Sequence, residues 1–208
     1  MLSMSSPVLF KMICGNFRES LELRVELDEV DPHVFRQLLD LWSGKQGQEA
    51  DNLDALIKLA SVADMLQMTE VGAALEEAML RQLTVPVCAA VLAASAAAGL
   101  HRVEDAARRL ALKRFEEFAE TDGFLRLDEE ALAQLLDDDA LLAPAEEDVL
   151  LAALRWMRHN ACSTDGALLL RSIRFPLMQE AFLADRLCAA LPPAHAERAA
   201  ALAREALR

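Results

Sequence analysis

Few residues in this 208-residue chain are spaced for covalent chemistry. Cys14, Cys88, Cys162 and Cys188 lie far apart and never form a C-x-x-C pair, so neither a zinc module nor a disulfide framework is implied. His33, His101, His159 and His195 are scattered and show no H-E-x-x-H spacing. The carboxylate pairs Glu76-Glu77, Glu116-Glu117 and Glu146-Glu147 are adjacent in sequence, so on a helix they diverge by about 100° and cannot share a site. Asp137-Asp138-Asp139 lacks the alternating oxygens and glycine of a calcium loop and reads as a solvated inter-helix loop. Glycine-rich phosphate loops, a G-x-S-x-G elbow and tyrosine are all missing from the sequence. The reading is a non-enzyme with no cofactor and no metal site.

One short element has a different profile. Phe17-Arg18-Glu19 places an aromatic and an acid two residues apart, between a short helix and an alternating segment. Such a pairing suits a surface read by another protein. Phe17 would supply an apolar anchor, and Glu19 orientation and charge complementarity. Pro7, Phe10, Met12, Val25 and Leu27 around it read as scaffold, and Cys14 as a small buried hydrophobe.

Bulk charge narrows the partners. The chain carries a net −13, shared evenly between residues 1–83 and 84–208, with no basic stripe, so a phosphate backbone would be repelled and nucleic acid is not expected. The longest apolar run, Val85 to Leu100, falls short of the roughly 20 residues that cross a bilayer, and no membrane role is expected. No signal peptide is visible, and unpaired thiols fit a cytoplasmic, alternatively nuclear, protein.

The elements that hold these residues are nearly all helical. Only 7 Gly and 7 Pro punctuate the chain, and Ala is abundant. Ser5 or Ser6 with Pro7 opens a short helix that Gly15-Asn16 breaks. Leu23, Val25 and Leu27 alternate with charged residues, which predicts one strand without a partner. Asp31-Pro32 opens a helix through Trp42, and Leu53 to about Gln67 forms the next. Thr69 is expected to cap a third. Asp128 and Pro144 open later helices. Met65, Met68 and Met79 read as core filler, and Trp42 and Trp156 as core or helix-interface packing.

Several strings taken together resemble a BTB/POZ domain. They are Ser6-Pro7-x-x-Phe10-x-Met12, Val30-Asp31-Pro32-x-x-Phe35, Leu38-Leu39-Asp40-x-Trp42-Ser43-Gly44-Lys45, and Leu59-Ala60-x-x-Ala63-Asp64-Met65-Leu66-Gln67-Met68. From about residue 84 the chain is similar to a BACK domain, through Phe124-Leu125-x-Leu127, Leu154-Arg155-Trp156-Met157-Arg158-His159 and Ile173-Arg174-Phe175-Pro176-Leu177-Met178. The resemblance implies a mainly α protein: a partial BTB/POZ fold over 1–83, with helices and one residual strand, and an all-helical BACK domain over 84–208. It also implies that the opening hairpin and dimer-forming helices of a BTB domain, and the Kelch repeats after BACK, are missing. Dimerisation through the BTB domain is therefore left open. By the same resemblance, the chain serves as a substrate adaptor or scaffold in a cullin-RING ubiquitin ligase, with Phe17 and Glu19 touching the cullin. The other reading is a homo- or hetero-oligomerising scaffold or transcription regulator without cullin contact.

Overall fold

Short amphipathic segments closed by strong capping residues dictate a helical architecture, and the computed structural model shows one. It describes residues 5–15, 21, 24–27, 30–45, 52–95, 99–160, 167–179 and 182. In chain order the helices are α1 (Pro7–Cys14), α2 (Pro32–Trp42), α3 (Leu53–Met65), α4 (Thr69–Gln82), α5 (Val85–Ser95) and α6 (His101–Lys113). They continue as α7 (Phe115–Ala119), α8 (Asp122–Leu125), α9 (Glu129–Leu136), α10 (Glu146–His159) and α11 (Ala167–Ser172), followed by a 3-10 turn at Phe175–Leu177. The fold is mainly α, with no strand among the described residues.

That corrects the residual strand expected around Leu23, Val25 and Leu27. Residues 24–27 have no regular secondary structure, and Leu23 lies outside the described residues. The physical reason is plain: period-two patterning makes a strand only where a neighbour completes its backbone hydrogen bonds. No such neighbour exists among the described residues.

The chain divides into two units, Met1–Leu83 with Val91–Ala106, and Thr84–Ala90 with Ala107–Arg208. In the first, α3 packs against both α2 and α4. Asn52 caps α3 by accepting from the Ala55 amide at 2.7 Å, and Asp31 does the same for α2 through His33. Leu56, Leu59, Ala60 and Ala63 of α3 are buried at helical spacing, facing Val71, Leu75 and Met79 as the buried stripe of α4. Gln67, at φ 54°, reverses the chain between them. Met68, not Thr69, occupies the cap position of α4 and makes no side-chain cap bond.

The second unit is organised by rings. Phe124 meets Phe115 and Phe118 edge-on, with centroids 6.3 and 5.7 Å away. Trp156 on α10 is buried, and its indole N–H donates to the Leu127 carbonyl at 3.0 Å. Met68 and Met79 are buried in the first unit as expected, whereas Met65 is exposed on the outer face of α3. Helix α10 begins two residues after Pro144 and has no side-chain cap; Glu146, Glu147 and Asp148 in its first turn complement its dipole instead.

The acidic string at 137–139 is an arginine anchor. Arg108 donates to Asp138 at 3.0 Å and to the Gln134 carbonyl at 2.8 Å. Arg174 reaches the carbonyls of Asp137 and Asp138 and the carboxylate of Asp139. The solvated loop expected there is thus tied to two cations on separate elements. The Ala140 amide, then the Arg108 guanidinium, hold the Asp138 carboxyl below its ordinary value.

Two outcomes follow. A Cβ at Gly123 would stand 2.8 Å from the Ala89 Cβ. Gly123→Ala should therefore lower the thermal midpoint, because overpacking by about 1–3 kcal/mol outweighs the roughly 1 kcal/mol of helix propensity regained. An unchanged or higher midpoint contradicts this close approach. For Asp138 the folded-state pKa is depressed, so its stabilisation is present above the ordinary aspartate range and lost as pH falls through the lowered value. Denaturant titrations should accordingly show wild type more stable than Asp138→Asn at neutral pH, with the gap closing in acid; a pH-independent gap contradicts the assignment.

Candidate protein-docking surface

Ser6 builds the near edge of the candidate site. It is the N-cap of α1, its Oγ accepting from the Leu9 amide at 3.1 Å, while Pro7 supplies a first helical residue that needs no N–H partner. The same hydroxyl donates to the carbonyl of Leu66, sixty residues away at the end of α3. Ser6 is fully buried; within α1 only Leu9 is buried. Gly15 ends the helix, its amide donating to the Lys11 carbonyl at 2.9 Å.

The outward side of α1 is apolar. Phe10 is 51% exposed and Ile13, one turn further on, is 46% exposed. Cys14 is also exposed, which corrects its reading as a buried hydrophobe. Phe10 is likewise surface rather than scaffold. The signal that could have separated them is local: an eight-residue helix has room for one buried stripe, and Leu9 with the Ser6 cap fills it. Phe17 and Glu19 follow directly in sequence, and both lie outside the described residues.

Other chemistry-bearing residues converge on no common centre among the described residues. Cys88 is buried, its Sγ 3.4 Å from the Thr84 carbonyl, and burial pushes its thiol up to about 11, which makes it a poor nucleophile at neutral pH. Cys162 and Cys188 fall outside the described residues, as does His195. No group of three or more His, Cys, Asp or Glu that could hold a metal occurs among the described residues. Glu146 and Glu147 do not act as a pair. Each accepts a separate backbone amide, from Arg174 and from Gln179, both at 2.8 Å.

A groove of about 200 Å³ in the first unit is lined by small residues such as Ala60, Ala63 and Gly72, together with Asp64 and Glu76. It is smaller than the roughly 300–1,000 Å³ of typical ligand pockets. Glu76 is held there by Arg102 at 3.4 Å. No helix among the described residues is long and apolar enough to cross a membrane.

Comparison with known proteins agrees with this organisation. Residues 1–83 match the BTB/POZ domain family, and residues 88–188 match the family described as BACK, BTB And C-terminal Kelch. Human Kelch-like protein 30 is 32% identical over 161 residues, covering 77% of this chain and 27% of that protein. Human Kelch-like protein 5 is 28% identical over 187 residues, covering 88% of the chain and 24% of that protein. Kelch-like protein 26 of Mus musculus is 28% identical, covering 88% and 30%. The chain thus spans about a quarter of the length of the curated relatives it matches. A helical first unit with a capped, outward-facing α1, a second helical unit built on Phe124 and Trp156, and these matches lead to one conclusion: the chain is a BTB/POZ domain followed by a BACK domain, homologous over this region to the Kelch-like proteins.

Proposed function

We propose that this chain is a non-catalytic adaptor or scaffold subunit of a cullin-RING ubiquitin ligase. Residues 1–83, the BTB/POZ domain, dock the cullin; residues 84–208, the BACK domain, act as a spacer for a recognition module. The observation that carries the reading is the succession of BTB/POZ and BACK matches from residue 1 to 188, shared with Kelch-like relatives. Kelch-like proteins with this arrangement are commonly cullin-3 adaptors. Phe17 and Glu19 are the proposed contacts, Phe17 as an apolar anchor and Glu19 as its orienting charge. The apolar outer face of α1, leading in sequence straight to them, supports a protein partner on this side.

A second reading has its own observation. Exposed Phe10 and Ile13 on α1 would equally suit a homotypic contact, giving an assembly scaffold that ignores cullin.

Binding to the N-terminal domain of cullin-3, measured by calorimetry, tests the first reading. Wild type should bind, and the Phe17→Ala, Glu19→Ala double variant should lose about thirtyfold or more in affinity, as expected for a truncated anchor of about 2 kcal/mol. Unaltered affinity removes the site assignment. A chain that forms a stable dimer by light scattering and never binds cullin-3 favours the assembly reading.

A further inference from the structure

We infer that residues 24–27 form an open strand edge that pairs antiparallel with the same segment of a second copy of this chain. The inference does not rest on cullin docking, and it leaves the outward side of α1 unused. Three observations carry it. First, the segment is extended: Arg24 and Glu26, two residues apart, bridge at 2.7 Å on one exposed side, while Val25 and Leu27 are half-buried. Second, its backbone is largely unpaired. The Leu27 carbonyl accepts the Val30 amide at 3.4 Å, and no other backbone hydrogen bond engages 24–27 among the described residues. Third, its order of side chains is complementary to itself.

Residues directly opposite each other in a sheet share a face, so the register decides which charges meet. In an antiparallel two-fold pair centred on Val25, Arg24 lies opposite the partner's Glu26, and Glu26 opposite the partner's Arg24. Val25 then meets its own copy on the apolar face. Centred on Arg24 or on Glu26 instead, the strands set like charges against each other. A shift of one residue sets Val25 against a charge, and a parallel in-register pair stacks each charge on its copy. Within 24–27, one antiparallel register alone pairs both charges and keeps the apolar side chains together.

Edges protected against pairing carry lysines, proline or an inward-pointing charge. This one carries a single charge of each sign. The net charge of −13 repels a second copy at long range. In about 0.15 M salt that repulsion is screened beyond about 8 Å, whereas the cross-strand pairs act in contact. Few residues pair, so association is weak and depends on concentration. The alternation of this segment gains its ladder only when two copies meet, which is strand addition with the chain as its own ligand.

Sedimentation equilibrium of the full chain, from about 10 μM to about 1 mM in about 0.15 M salt, tests this. Wild type should pass from monomer toward dimer over that range. Arg24→Glu and Glu26→Arg should each weaken self-association about tenfold or more, because two attractive cross-strand pairs become repulsive. The double exchange Arg24→Glu, Glu26→Arg rebuilds the pairing and should return the dimer to within about threefold of wild type. The two single variants, mixed, should associate with each other better than either does with itself. Both side chains are mostly exposed, so these exchanges leave the fold intact. Phe10→Ser, on the outward side of α1, should leave association unchanged. A wild type that stays monomeric throughout overturns the inference. So does a dimer indifferent to the charge reversals or lost in Phe10→Ser, and so does a double exchange as weak as the single variants. Cullin is absent from the assay, so each of these failures is separate from a failure of the docking reading.

Discussion

Short helices have a structural cost that long ones hide: each end leaves backbone groups without partners, and here the ends come every few residues. Much of the tertiary structure can be read as the solution to that constraint. Ser6 donates to Leu66 at the end of α3, and Arg155 to Ala119 at the end of α7. Asn160 donates to Leu125 at the end of α8, and Arg174 to Asp137 at the end of α9. Elsewhere the polarity reverses, and carboxylates of Glu129, Glu146 and Glu147 accept the amides of Leu168, Arg174 and Gln179. Apolar burial supplies the larger share of stability, but these bonds decide which helix end lies against which. No buried side-chain polar atom among the described residues is left without a partner.

The same constraint links fold to function. A docking surface of the kind proposed must be held in place while keeping its own apolar groups exposed, and α1 combines a buried anchor with exposed apolar side chains. Its inward side is reduced to Leu9 and the Ser6 hydroxyl, which leaves Phe10 and Ile13 free to face outward. In the second unit the arrangement is different. Rings of Phe115, Phe118, Phe124 and Trp156 fill the interior, and its carboxylates are engaged in holding the 167–179 segment.

What the sequence disclosed follows the range of each interaction. Caps are local, so Pro7, Asp31-Pro32 and Asp128 marked α1, α2 and α9 without help from the fold. Helical spacing likewise marked Met68, Met79 and Trp156 as interior. Where the sequence reading and the structure differ, some causes are distant in sequence and others local. Val25 and Leu27 alternate like a strand, yet pairing depends on a neighbour that periodicity cannot supply. Asp137, Asp138 and Asp139 lie in a solvent-facing inter-helix loop as read, but spacing could not show its ties to Arg108, thirty residues away, and Arg174, thirty-six away. Met65 shares its spacing with buried residues but faces outward on α3. Thr69 had the right side chain for a cap, but the turn at Gln67 starts α4 one residue earlier. For the candidate site, the sequence isolated Phe17 and Glu19, whereas the exposure of Phe10 and Ile13 emerged only once Ser6 was seen reaching Leu66.

The proposed partner-facing surface comprises the outward side of α1 and, next in sequence, Phe17 and Glu19. Hydrogen–deuterium exchange on the intact chain, with and without the cullin-3 N-terminal domain, addresses it directly. Slowed exchange centred on residues 10–19, with α9 to α11 unchanged, is the result this account requires. Protection confined to the BACK unit, or no protection at any peptide under saturating cullin, would contradict it.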